Sequence, residues 1–301
     1  MERIGFRKML EKRQDDIGSL VCVGLDPLAE KVPVCIKREM WLEPQWKWIA
    51  RWMCDIVDAT APHASMFKPQ KAHYEAFEGG RLALQAIVSY IHAFHPDIPV
   101  FLDCKRGDIG RTQQQYRFAH FEIDGVDGVN FNPYMGKDCM EHFVDTSARW
   151  RSIVGLCYTS NSAAREVQDI VIEDGRYLWE RIAELMLGWA KDLEVDENAG
   201  LVMAAAYEKE KGSGEVFSWH LSRCREIVSD RMWFLIPGIG AQEGFARQTV
   251  LNSGVDGKKA GPGEVAINSS SKIDFASDGE DYAEAAGVEV ETLMNQIRRA
   301  A

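Results

Sequence analysis

Phe101-Leu102-Asp103-Cys104-Lys105-Arg106-Gly107-Asp108-Ile109-Gly110-Arg111-Thr112 starts apolar, turns charged and runs into a glycine-flanked bend. A short extended run that ends in a turn, with enough chain after it for a helix, is the outline of one βα unit. Residues two apart on a strand share a face, so Asp103 and Lys105 point together while Leu102 and Cys104 point away. Arg106 falls on the face opposite Lys105 and reads as structural support. Opposite charges at the end of an apolar strand are costly to desolvate unless they are paired or used.

The same outline recurs along the chain. Apolar, β-rich runs lie at Leu20 to Leu25, Ser65 to Phe67, Val100 to Cys104, Gly128 to Phe131, Ile153 to Cys157, Leu201 to Ala205, Trp233 to Ile236 and Glu264 to Ile267. Between them stand amphipathic stretches such as Leu82 to Phe94 and Tyr177 to Leu193, whose apolar residues recur every three or four positions. Alternating strands and helices mean a parallel sheet. Eight units favour an α/β fold of the closed (β/α)₈ TIM-barrel kind over an open doubly wound sheet, and 301 residues suit one such barrel spanning 1–301. The positions just beyond the runs are mostly polar: Asp26, Lys68, Lys105, Asn132, Thr159-Ser160, Ala206, Gly238 and Asn268. Parallel barrels assemble their sites at these C-terminal strand ends, because the loops there converge over the core.

Composition narrows the function. Thirty-five Lys and Arg against 46 Asp and Glu leave a formal charge of −11, which repels a nucleic-acid polymer over most of the surface. A small phosphorylated ligand can still meet a local basic cluster. No apolar run reaches the roughly 18 residues of a membrane span, and charges interrupt the N-terminal stretch where a signal peptide would be apolar. The expected address is cytoplasmic. Seven cysteines, an odd number with no C-x-x-C pair, read as reduced thiols, with Cys22, Cys104 and Cys157 inside apolar runs.

Lys68 adds to the charged strand end. Met66-Phe67-Lys68-Pro69-Gln70 closes a second run with a lysine, and Pro69 keeps a helix from starting there. Two lysines and two aspartates, with Asp108 in the glycine-flanked loop, make an alternating array. Taken alone, Asp103 and Lys105 fit equally well a buried ion pair, with Asp108 capping the next helix.

Other signals carry less. Gly238-Ile239-Gly240-Ala241-Gln242-Glu243-Gly244 resembles a dinucleotide fingerprint, but its third glycine comes one residue late and it lies after the seventh strand. His92 with His95, and His220 with Cys224, have spacings a metal could bridge, yet neither has a second pair; no metal site and no cofactor are expected. Trp41, Trp46, Trp48 and Trp52 read as a packing face of the first outer helix. Ser253 to Gly263 reads as an exposed loop.

Six segments in order carry a resemblance: Val23-Gly24-Leu25-Asp26-Pro27, Phe67-Lys68-Pro69-Gln70, the D-x-K-R-G-D-I-G-x-T block from Asp103, Asn132-Pro133-Tyr134-Met135-Gly136, Thr159-Ser160-Asn161, and Pro237-Gly238-Ile239-Gly240-Ala241-Gln242. Any one is weak; together they resemble the orotidine monophosphate decarboxylase family, in its longer branch. The resemblance implies cofactor-free conversion of OMP to UMP and CO₂, with a tetrad of Lys68, Asp103, Lys105 and Asp108 and with Lys105 as proton donor to C6. It implies a homodimer in which Asp108 and Thr112 reach the partner's site. Asp26 would hold a ribose hydroxyl and Ser160 the pyrimidine edge, while Gln242 and the backbone around Pro237, Gly238 and Gly240 would hold the phosphate. One position departs: where the family usually carries an arginine after the eighth strand, Asn268-Ser269-Ser270-Ser271-Lys272-Ile273 places Ser271, with Lys272 next. Two readings remain beside this one, a metal-dependent sugar-phosphate lyase or epimerase of the same barrel superfamily and an inactive nucleotide-binding homologue. The resemblance also leaves open a fusion to, or association with, orotate phosphoribosyltransferase.

Overall fold

A computed structural model describes residues 4–208, 212–238 and 243–300. Eight parallel strands form one sheet: β1 (Val21–Leu25), β2 (Met66–Pro69), β3 (Phe101–Arg106), β4 (Gly128–Phe131), β5 (Ser152–Tyr158), β6 (Ala199–Met203), β7 (Trp233–Pro237) and β8 (Val265–Ser269). Neighbours in sequence are neighbours in the sheet, and β8 returns to β1. Between β2 and β3 only the bridges Phe67 to Val100 and Gln70 to Asp103 complete the ring, so the barrel is nearly closed. Helices flank it, among them Gln45–Thr60, Gly80–Phe94 and Leu178–Asp192.

All eight expected strands are present, with Gly128–Phe131 unchanged and no end shifted by more than two residues. The shifts matter at the top. Lys68, Lys105 and Asn268, expected just beyond their strands, lie within them, and β6 ends at Met203, three residues before Ala206. Two antiparallel pieces, Tyr207–Glu208 and Val216–Phe217, form an unexpected hairpin between β6 and the next helix. The tryptophan reading needs one correction. Trp52 is buried on helix Gln45–Thr60 and Trp46 and Trp48 pack partly against the core, but Trp41 precedes the helix and is 70% exposed.

Inward residues fill the barrel in layers. At the bottom Phe6 stacks on Trp233 at 5.5 Å between ring centres, and Phe101 meets Trp233 edge-on at 5.8 Å. Helix Phe6–Ile17 thereby plugs the N-terminal end. Cys22, Met66, Val154, Val202, Leu235 and Ala266 make the apolar layer above. Above these, alternation brings Lys68, Asp103, Asn130 and Asn268 inward, all buried. A closed apolar floor beneath a polar layer confines charge chemistry to one end. Among the described residues no helix is long and apolar enough to cross a membrane. All seven cysteines are free, with Cys22, Cys104 and Cys157 buried.

Candidate active site

Asp103 is the centre of the polar layer. Its Oδ2 accepts from Lys68 Nζ at 3.3 Å and its Oδ1 from Lys105 Nζ at 2.6 Å. Lys68 is almost wholly buried, whereas Lys105 reaches the open end half exposed. Burial alone would raise the Asp103 carboxyl; the two ammonium groups and the hydrogen bonds from Lys105 and Asn130 outweigh it and hold the group well below the ordinary carboxylate range. Burial would likewise lower Lys68, but the Asp26 and Asp103 carboxylates hold its ammonium above its usual value. Asp103 is therefore held as a carboxylate and Lys68 as an ammonium, with Lys68 locked into the core and Lys105 presented at the open end.

The strand does not deliver this by ideal geometry. Lys105 has φ of 45°, a left-handed conformation that costs a non-glycine residue about 1–3 kcal/mol. The register of β3 against β4 breaks between Leu102 and Arg106 at the same place. Asn130, the one polar residue of β4, stabilises the irregularity. Its Oδ1 accepts the backbone N–H groups of Cys104 (2.9 Å) and Lys105 (2.7 Å), and its Nδ2 donates to Asp103 Oδ1 at 2.7 Å. Strand-end reasoning points to Asn132 as the polar end of β4 and misses Asn130. A lone amide inside Gly128–Phe131 is the signal the sequence offers. Asn130→Ala should lower unfolding free energy by more than about 2 kcal/mol, because buried donors left unsatisfied cost about 1–3 kcal/mol each; urea denaturation measures it, and an unchanged midpoint would refute the role.

Asp108 stands apart from the triad. Its Oδ1 accepts the N–H of Ile109 at 2.8 Å, and among the described residues it pairs with neither lysine. Thr112 is exposed on helix Gly110–Arg117, as are Ile109 just before that helix and Tyr134 and Met135 after β4. Arg106 turns outward as expected, over the Tyr116 ring at 4.9 Å and paired with Glu75.

The remaining candidates ring the opening. Asp26 comes directly after β1, half-buried. Ser160 is exposed after β5, in a loop braced by Gln168, whose Oε1 accepts from the Thr159 N–H at 2.9 Å. Gly238, at φ 91°, carries the chain past it: a Cβ there would lie 3.3 Å from the Ser160 Cβ, so glycine suits both the turn and the approach. Pro237 pairs with Asn268 across β7 and β8, which brings the loops after these two strands together. Ser271 and Lys272 start the short helix Ser271–Asp274 and are exposed; Lys272 has no ion pair among the described residues. Gly240 and Gln242, like the rest of the fingerprint-like stretch at 239–242, lie outside the described residues. The histidines discounted as metal ligands have other partners. His92 meets Asp127 and His95 meets Asp58, while burial pushes His220 down to about 4 and its Nε2 lies 2.8 Å from the Ala204 carbonyl.

The chain is similar to known proteins over nearly its whole length. The chain is 36% identical to the orotidine 5'-phosphate decarboxylase of Bordetella pertussis over 97% of both chains. Its fold superposes on the Leishmania donovani OMP decarboxylase with a TM-score of 0.74 at 29% identity, covering 99% of this chain and 100% of that one. It also superposes on Leishmania donovani UMP synthase with a TM-score of 0.75 at 29% identity, covering 98% of this chain but only 57% of that longer one. The model of the orotidine 5'-phosphate decarboxylase / HUMPS family matches residues 19–285, and the chain belongs to that family.

Proposed function

We infer that this chain decarboxylates orotidine 5'-phosphate to UMP and CO₂, as a carboxy-lyase of pyrimidine biosynthesis, with Lys105 as the proton donor. The observation that carries the chemistry is the Lys68–Asp103–Lys105 triad at the barrel's open end. When the bond from C6 to the carboxylate breaks, its electron pair stays on a ring carbon with no adjacent sink. A preorganised cation close to that carbon stabilises the developing charge, and its N–H delivers the proton that C6 takes up. Lys105 supplies both, and solvent reprotonates it. Asp103 fixes Lys105 and stands against the substrate carboxylate, while buried Lys68 keeps Asp103 ionised.

The family resemblance suggests the other roles, and the strand-end positions of Asp26, Ser160 and the Pro237–Gly238 turn support them. Asp26 at the end of β1 holds a ribose hydroxyl, Ser160 the pyrimidine edge, and the Pro237–Gly238 turn with Gly240 and Gln242 the phosphate, where barrels of this kind place phosphates, after strands seven and eight. Binding energy from the phosphate helps close the loops over the triad. Asp108 and Thr112 serve the partner's site in a homodimer, a reading supported by Asp108 having no ion pair among the described residues and by the exposure of Ile109, Tyr134 and Met135. Association with orotate phosphoribosyltransferase is a further reading, supported by the likeness to a UMP synthase. Measuring OMP absorbance over time with chelator present tests the activity. Conversion without added metal is expected; a divalent-metal requirement would move the chain to the sugar-phosphate lyases and epimerases, and binding without turnover to an inactive homologue.

The phosphate grip is where this chain departs. Ser271 offers no charge, and Lys272 is a point charge on a flexible stem where an arginine would offer a planar fork. Losing a charge-assisted hydrogen bond is worth about 1.5–3 kcal/mol, on the order of 10- to 150-fold in affinity. Ser271→Arg is therefore expected to lower the Michaelis constant for OMP with little change in kcat. Lys272→Ala should erode the preference for OMP over orotidine. An unchanged preference would remove Lys272 from the phosphate site, and an unchanged Michaelis constant in Ser271→Arg would mean that position 271 does not face the phosphate.

A further inference from the structure

Asp274 is a buried acid that the decarboxylation chemistry does not use. It ends helix Ser271–Asp274, is 1% exposed, and accepts the backbone N–H of Asp26 on Oδ2 at 3.0 Å. Among the described residues its buried Oδ1 has no hydrogen-bond partner, and neither has Oδ1 of Asp26. The two residues meet because the chain leaving β8 crosses the end of β1. A Cβ on Gly24 would lie 1.9 Å from Ser270 Oγ, so the crossing requires glycine at that position. Tyr74, from helix Lys71–Glu75, secures the same stretch of β1 by donating to the Leu25 carbonyl at 3.0 Å.

No cation pairs with Asp274 among the described residues; Lys68, whose charge acts on it, bonds to Asp103 instead. A buried carboxylate without a counter-charge is costly. Burial, and after it the Asp26 charge, push the Asp274 carboxyl well above the ordinary range and so favour its protonated form. A neutral carboxyl has one O–H to give, and the orphaned Asp26 oxygen is an acceptor that lacks a donor.

We propose that Asp274 is a positioning residue of the substrate site, which holds the Asp26 backbone with one oxygen and orients the Asp26 carboxylate toward the ribose with the other. The proposal rests on the ribose-binding reading of Asp26. Holding that half-buried carboxylate in advance removes the cost of ordering it when substrate arrives.

The test is calorimetric binding of UMP and of 2',3'-dideoxy-UMP to the wild type, Asp274→Asn and Asp274→Leu. Asparagine keeps an acceptor oxygen and an N–H donor; leucine keeps the volume and neither. Asp274→Asn should bind UMP within about threefold of wild type, since both bonds survive. Asp274→Leu should bind UMP roughly 10-fold or more weakly, yet bind the dideoxy nucleotide unchanged, and in turnover raise KM more than it lowers kcat. Asp274→Ala reads the same ratio should the leucine variant not fold. Equal losses for both ligands, wild-type UMP binding by the variants lacking the carboxyl, or a loss beyond 10-fold in Asp274→Asn would each overturn the proposal. A wild type that does not distinguish the two nucleotides would instead remove the ribose reading of Asp26, and the proposal with it; that failure is recognised before any variant is made.

Discussion

Lys105→Ala is expected to lower kcat for OMP by on the order of 10³-fold or more, because the change removes both the proton donor and the cation facing the developing charge. The fold should survive: Lys105 is half exposed, and Asp103 keeps Lys68 and Asn130 as partners. The accompanying signature is non-additivity. Lys105 and Asp103 are 2.6 Å apart and share one task, so Asp103→Ala combined with Lys105→Ala should cost little more than the worse single change. Asp103→Ala should also destabilise the protein, since it leaves buried Lys68 without its hydrogen-bonded carboxylate. Single-turnover absorbance measurements decide the matter. Near-normal turnover by Lys105→Ala would end the assignment of Lys105 as donor.

Mixing two inactive variants should restore activity. If Asp108 of one chain completes the site that Lys105 of the other supplies, a dimer of Asp108→Ala with Lys105→Ala has one site with both residues intact and one with neither. Random exchange at equal amounts makes half the dimers mixed, so activity should rise from near zero to roughly a quarter of wild type. The geometry behind the expectation is specific: Asp108 bonds to its own loop at Ile109 and leaves the lysines of its own chain to Asp103. No recovery after exchange is demonstrated, for instance by mass-tagged subunits, would mean that each site is complete within one chain.

The amino-acid sequence by itself determined the eight strand cores and the end of the barrel where charge collects. Both are consequences of local periodicity: apolar runs of β-branched residues predict strands wherever they fold, and a period of two brings Asp103 and Lys105 to one face whatever lies around them. Lys68 was legible for the same reason. Strand ends were less so, because a lysine or asparagine at the top of a strand looks like a loop residue until the barrel closes round it, as with Lys68 and Asn268. The hairpin after β6 left no signal, its strands being two residues each.

Only the tertiary structure decided what holds the site in place. Asn130 acts on β3 from 25 residues away, and its amide serves Lys105 because β4 pairs beside β3 with a broken register. Asp274 reaches Asp26 across 248 residues because β8 closes on β1. Neither contact leaves a periodic trace, since a hydrogen bond between distant segments depends on ring closure and not on spacing along the chain. The left-handed backbone at Lys105 belongs to the same class, a strain that no residue preference predicts and that the surrounding hydrogen bonds offset.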